Sequence, residues 1–227
     1  MNILAIDTAT EACSVALSIG SNTDSIFDIC PQQHSQQILP MLDTILMRNN
    51  VKIADLDAIA YGRGPGSFTG VRIAASTVQG LALGSNLPVI EVSTLATLAQ
   101  QNYDEYRLES TLALIDARMK EVYAGSFTIV NGIATTNGNE TVIDPQLALN
   151  MYTQHKPLGI AGTGFEAYAD IFSGYIATLP KVMFPNALHM LPLAQYQFNR
   201  DQVTNAKNIQ PVYVRDKVTW QKLPNRR

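Results

Sequence analysis

Charge is scarce in this chain. Only 15% of its 227 residues are Asp, Glu, Lys or Arg, against about 25% in ordinary soluble domains. With 46% hydrophobic residues the chain is not disordered, and so little charge implies a surface that meets another protein. The net charge of −3 gives no whole-chain attraction to nucleic acid or anionic membrane. A nucleic-acid role would need a local patch. Cysteine is limited to Cys13 and Cys30, which match no metal or redox spacing. A hairpin turning between Ser21 and Asn22 would set them opposite each other, and reduced core thiols are expected in a cytosolic protein. The three histidines, His34, His155 and His189, form no H-E-x-x-H or H-x-x-x-H pair, so no helical metal site is written in the sequence. There is no G-x-S-x-G elbow, and the adjacent His34 and Ser35 do not face each other as a catalytic pair would. No apolar run reaches the length of about 18 residues that spans a membrane. The apolar run Ile3 to Ile6 is too short for a signal-peptide core, so a soluble, cytoplasmic protein is expected.

What is present is a pattern of strands and helices. Ile3 to Ile6 reads as a short strand, Cys13 to Ile19 alternates with period two, and Ser25 to Ile29 completes a three-stranded meander. A helix is expected from Ser35 to Asn49. There Ile38, Leu39, Met41, Leu42, Ile45 and Leu46 share an arc of about 160°, and Pro40 either kinks the helix or sits in its first turn. A strand at Leu56 to Tyr61, a helix at Ser67 to Leu83, a strand at Pro88 to Val92 and a helix at Thr94 to Gln101 follow. The polar stretch Gln100 to Ser110 is the expected link between lobes spanning 1–105 and 106–227.

The pattern then starts again. At an offset of 109, Leu4-Ala5-Ile6-Asp7 aligns with the segment ending Leu114-Ile115-Asp116, and Cys13 to Ile19 with Val122 to Thr128. This predicts a duplicated lobe whose second copy is trimmed: a strand at Pro157 to Ala161, a turn at Gly162-Thr163-Gly164 and a short helix at Phe165 to Phe172. Beyond Gln202, Lys207, Arg215, Lys217, Lys222, Arg226 and Arg227 face Asp216 alone. That tail reads as a solvated basic end or as a contact with RNA or an acidic surface.

Three features could carry chemistry. Gly62-Arg63-Gly64-Pro65-Gly66-Ser67-Phe68-Thr69-Gly70-Val71-Arg72 sits between a strand and a helix, where a phosphate loop would. It is neither a Walker loop nor a dinucleotide fingerprint. It reads as an anion site or as a tight turn permitting close packing, with Ser67 as N-cap. Asp7 and Asp116 each end a strand near the expected cleft, placed to hold a magnesium nucleotide or to cap a turn. The third feature is the 18-residue uncharged run Ile73 to Ile90. Its helix is apolar nearly all round, with Gly70, Ala75, Gly80 and Ala82 allowing close approach. It implies cover by the chain's own sheet on one face and, on the other, by a partner with help from the Leu39 to Leu46 helix, the alternative being burial within the same chain.

Ile-Asp-Thr-Ala-Thr at 6–10, His34-Ser35-Gln36, the glycine-rich stretch at 62–72, Ile-Asp-Ala-Arg at 115–118 and Pro-Val-Tyr-Val-Arg at 211–215 together resemble the TsaB (YeaZ) family over essentially the whole chain. The resemblance implies an α/β actin-like ATPase (ASKHA) fold of two ribonuclease-H-like lobes, the second reduced. It further implies a non-catalytic subunit needed with TsaD and the ATPase TsaE for threonylcarbamoyl transfer to N6 of the adenosine beside the anticodon, in tRNAs that read codons starting with A. In the catalytic paralogue TsaD a metal-binding histidine pair would fall near His34. Here Ile38 stands where the second ligand would lie, in keeping with a scaffold role. No catalytic residue, metal or cofactor of its own is expected, with ATP or ADP confined to a subunit interface. Asp7, Asp116, Gly162 and Gly164 would then line a vestigial nucleotide cleft. Leu39, Leu42, Ile45, Leu46, Val71, Ala74, Ala75 and Val78 are the candidate interface for TsaD, or for a second copy when the chain is alone, so Ala75→Arg is expected to abolish pairing. tRNA would be met through the complex. The alternative is an ATP-dependent phosphotransferase or peptidase of the actin-like fold, which requires a working nucleotide or metal site.

Overall fold

The computed structural model describes residues 1–214. The first lobe opens with β1 (Ile3–Asp7), β2 (Ala12–Ile19) and β3 (Asn22–Ile29), followed by α1 (His34–Arg48), β4 (Ala58–Gly64), α2 (Phe68–Ser85), β5 (Val89–Ser93) and α3 (Thr94–Tyr106). The strands form one sheet in the order β3-β2-β1-β4-β5, with β4 parallel to both β1 and β5 and the meander antiparallel. The second lobe contains β6 (Ser110–Arg118), β7 (Glu121–Val130), β8 (Ile133–Thr136), β9 (Thr141–Ile143), α4 (Pro145–His155), β10 (Gly159–Ala161) and the short helices α5 (Gly164–Ala167) and α6 (Ala169–Phe172). Its sheet runs β8-β7-β6-β10, with β9 pairing the other end of β7.

The two sheets repeat one design. β6 pairs antiparallel with β7 as β1 does with β2, and β10 lies parallel to β6 as β4 lies to β1. β2 begins at Ala12 and β7 at Glu121, preserving the spacing read from sequence. Among the described residues the second copy has no counterpart of β5, so it is the reduced lobe of an actin-like fold.

Several expectations are corrected. The link expected at Gln100–Ser110 is largely helix: α3 continues to Tyr106 and β6 starts at Ser110. Gln100 and Asn102 look like linker residues but are buried. Gln100 Oε1 accepts from the Ala134 amide at 2.8 Å and its Nε2 donates to the Gly132 carbonyl at 3.0 Å, so these amides satisfy the backbone of the second sheet. The β2–β3 turn lies at Gly20-Ser21, pairing Ile19 with Asn22, so Cys13 faces Asp28 and Cys30 lies beyond the strand opposite Glu11. Both thiols are free and buried, and burial pushes Cys13 up to about 12. α1 starts at His34, so Pro40 sits in its second turn. The helix expected at Phe165–Phe172 breaks at Tyr168 into α5 and α6.

Burial follows from these faces. α1 and α2 cover one side of the first sheet, where Ile38, Leu42, Ile45, Ala74 and Val78 pack on Leu4, Ile6 and Ile59. On the other side a core shared by both lobes joins Ile3, Ala5 and Ile90 to Leu95 and Leu98 of α3, to Ile115 and Phe127, and to α7 (Met190–Phe198). The chain then returns along the first lobe. Thr204 pairs antiparallel with Val89 on the outer edge of β5, Gln79 Nε2 donates to the Ala206 carbonyl at 2.9 Å, and the Val212 amide donates to the Arg63 carbonyl at 2.9 Å. Residues 204–213 thus form a strap across the ends of β5 and β4 and along α2.

Candidate functional site

The glycine-rich stretch is a seat for the chain's own backbone. β4 runs through Gly64, and Ser67 caps α2 by accepting from the Gly70 amide. A Cβ on Gly62 would overlap Asp7 Oδ2, one on Gly66 the Ala9 carbonyl, and one on Gly70 the Thr8 carbonyl. Thr8 Oγ1 donates to the Gly70 carbonyl at 2.7 Å and the Ser67 amide to the Ala9 carbonyl at 2.7 Å. Of the two readings open from sequence, close packing is the one realised. The glycines accommodate residues 7–9, and the Ser67 and Gly70 amides are already engaged.

Asp7 is fully buried at the end of β1. Its Oδ1 accepts from the Ala9 amide at 2.9 Å, while Oδ2 and the Thr94 hydroxyl are both buried without a hydrogen-bond partner. Burial pushes this carboxyl up to about 7, although the Ala9 amide and nearby Thr94 favour the charge. Asp116 differs. It pairs with Arg118 at 3.0 Å, accepts from the Arg118 amide and from the Tyr168 hydroxyl, and is partly exposed. Arg118 also reaches Glu11 at 3.3 Å, tying the two Asp-bearing turns together across the lobes. Gly162 and Gly164 both press on Leu114, and a Cβ on Gly162 would overlap its carbonyl. One carboxylate enclosed, the other paired with arginine, and glycines filled by backbone do not fit a magnesium nucleotide. No group of three His, Cys, Asp or Glu side chains among the described residues could hold a metal ion. His34 opens α1, buried and with Nε2 lacking a partner, and Ile38 beside it is core.

The candidate interface residues divide sharply. Leu42, Ile45, Val71, Ala74, Ala75 and Val78 are buried in the chain's own core, which corrects the expectation that they line a partner surface. Leu39 is 57% exposed and Leu46 half-buried. The outward side of α2 is instead Thr69, Ile73, Ser76, Gly80, Leu83 and Gly84, one stripe at helical spacing without a charge. A Cβ on Gly80 or Gly84 would meet nothing within 4 Å, and Leu83 is 63% exposed. Because α2 is apolar nearly all round, its pattern alone does not tell the sheet side from the outer side.

Two polar clusters escaped sequence reading because their members are far apart in the chain. Glu140, in the loop before β9, accepts from the Ser93 hydroxyl and pairs with Arg63 at 3.4 Å, clasping the second lobe to the N-terminus of α3 and the end of β4. Arg72 stacks on Phe68 and donates to Tyr213 of the strap. Their only sequence signal was that Arg63 and Arg72 are the cations of the glycine-rich stretch. No helix among the described residues is long and apolar enough to cross a membrane. Of the basic tail, Lys207 lies on the strap and the rest lies outside the described residues.

Comparison with known proteins gives a consistent answer. Residues 28–216 match the sequence model of the family described as TsaD, tRNA N6-adenosine threonylcarbamoyltransferase. The tRNA threonylcarbamoyladenosine biosynthesis protein TsaB of Escherichia coli is 44% identical over 230 residues, covering 100% of both chains. Its namesake in Haemophilus influenzae is 40% identical over 235 residues, covering 100% of this chain and 98% of that one. The solved structure of YeaZ from Pseudomonas aeruginosa superimposes with a TM-score of 0.80 at 37% identity, over 93% of this chain and 99% of that one.

Proposed function

We propose a role for this chain from one premise: it belongs to the TsaB family of tRNA threonylcarbamoyladenosine biosynthesis proteins, within the wider family whose model is described as TsaD. Its role lies in making that tRNA modification. Within that role it is a non-catalytic partner of the transferase TsaD, acting with the ATPase TsaE in the cytoplasm, and it pairs with a second copy of itself when alone. The observation that carries this reading is the outward stripe of α2, uncharged from Thr69 to Gly84 apart from Arg72 at its flank, with Leu83 exposed and Gly80 open. Such a face loses little by desolvation and admits a second helix at close range.

The enclosure of Asp7, the pairing of Asp116 with Arg118 and the replacement of a second helical ligand by Ile38 support the absence of transfer chemistry here. Threonylcarbamoyl transfer is then the partner's reaction, and any nucleotide is held between subunits.

Gly80→Arg tests the reading. The position is open, so the chain should fold with a helix about 1 kcal/mol better, while a bulky cation on the stripe blocks the approach of a partner. Loss of co-elution with TsaD and of modification in the reconstituted reaction, with an unchanged or raised melting temperature, is the expected result. Co-elution and modification at the unmodified level would overturn it.

A further inference from the structure

A cavity of about 220 Å³ lies where the two lobes and α7 meet, and neither Asp7 nor Asp116 lines it. Val92 of β5, Phe127 of β7, Ala134 of β8 and Leu193 of α7, all buried, supply its apolar lining, and exposed Thr136 and Gln202 mark its mouth. Among the described residues that line it there is one cation, Arg63, and one acid, Glu140. They stand side by side. Arg63 Nη2 is 3.4 Å from Glu140 Oε2, while Oε1 of the same carboxylate accepts from the Ser93 hydroxyl.

This ion pair is loosely made. A charged N–H···O contact is ordinarily about 2.7–2.9 Å long, and the Arg63 side chain is 29% exposed against 11% for Glu140, so solvent reaches the pair from the arginine side. A guanidinium presents five donors in a planar fork that matches a carboxylate, and Arg63 meets Glu140 through Nη2. A ligand of one charge would pair with one member and strand the other half-enclosed, which is costly. A purely apolar ligand would leave the pair idle. A zwitterion gives each member a partner, its carboxylate meeting the fork and its ammonium meeting Glu140, with the Ser93 hydroxyl still bonded behind. Volume narrows the choice further, because the cavity is smaller than the roughly 300–1,000 Å³ of pockets for drug-sized ligands. The apolar part must therefore be a group of few atoms.

We propose that this cavity binds a free amino acid with an apolar side chain, its carboxylate on Arg63, its ammonium on Glu140 and its side chain against Val92, Phe127 and Leu193. None of the outward stripe of α2 lines the cavity, so this site stands or falls apart from the subunit pairing.

The test is calorimetric titration of the full chain, alone, with L-leucine and L-phenylalanine, alongside the melting temperature with and without each. Both should bind and raise the melting temperature. 2-Phenylethylamine and 3-phenylpropanoate, which each lack one of the two charges of phenylalanine, should bind at least about tenfold more weakly, as should phenylalanine to Glu140→Gln. Ala96, half-buried on the cavity wall, gives a variant that leaves the ion pair in place. Ala96→Leu should abolish binding by filling the space, with an unchanged or raised melting temperature. Absence of heat and of any melting shift with both amino acids up to their solubility would overturn the proposal. It would fail equally if either analogue bound wild type as tightly as phenylalanine, which needs no variant to fold, or if both Ala96→Leu and Glu140→Gln bound as wild type does.

Discussion

Gly62 stands directly behind Asp7: a methyl group on Gly62 would overlap the carboxylate's Oδ2, an atom already buried without a hydrogen-bond partner. The end of β4 and the end of β1 therefore interlock at one point, and the glycine-rich stretch owes its composition to the backbone it receives. Gly62→Ala is expected to destabilise the protein by about 1–3 kcal/mol, because the added methyl must displace Asp7 or the strand. Urea unfolding of the variant against wild type measures it, and an unchanged midpoint would contradict the interlock.

The same carboxylate makes stability depend on pH. Its value in the folded chain, about 7, is above the ordinary 3.8, so the native state holds this proton more tightly than the unfolded chain does. The contribution is fully present below about pH 4, is lost progressively up to about pH 7, and amounts to roughly 4 kcal/mol as an order of magnitude. Asp7→Asn keeps an acceptor for the Ala9 amide and removes the titration. It should be more stable than wild type at pH 8, with the gap narrowing at pH 5, in denaturant titrations at the two values.

Ala75→Arg should damage the chain before it damages any pairing. Ala75 is buried in a core with Tyr61 and Val78, so an arginine there adds volume and an unpaired charge, at a cost of several kcal/mol. Circular dichroism melting of the isolated chain should fall steeply, in contrast to Gly80→Arg one and a half turns further on. Equal melting of the two variants would reverse the assignment of inner and outer sides of α2.

That contrast also marks how far the sequence could be read. The strands around Asp7 and Asp116 were legible because period-two alternation and a repeated spacing are local signals, and the reduced second lobe followed from them. The orientation of α2 was not, since small apolar residues occupy both its sides and only the position of the sheet separates them. The end of α3 was missed because Gln100 and Asn102 are polar yet buried against the second lobe. α4 had a signal that went unused, Asp144 before Pro145, an N-cap whose carboxylate accepts from the Gln146 amide at 2.8 Å. Glu140 had none, standing 77 residues from Arg63.

The two polar ties between lobes should differ in strength. Arg118 is largely exposed where it meets Glu11 and Asp116, so Arg118→Ala should change stability by less than about 1 kcal/mol. Glu140 is mostly buried and serves both Ser93 and Arg63, and Glu140→Ala should cost about 1–3 kcal/mol by leaving those groups short of a partner. Chemical denaturation of the two variants ranks them, and the opposite order would sink this reading.

The strap has a consequence for biosynthesis. Thr204 covers the outer edge of β5, and α7 supplies part of the core on which β1 and β4 rest. A ribosome that has made only the first hundred residues has therefore produced a sheet with one flank bare and one face unfilled. The lobe that emerges earlier is completed by Thr204 and α7, which are translated long after β5, so a nascent chain must keep that bare edge from pairing with its neighbours until those residues have emerged.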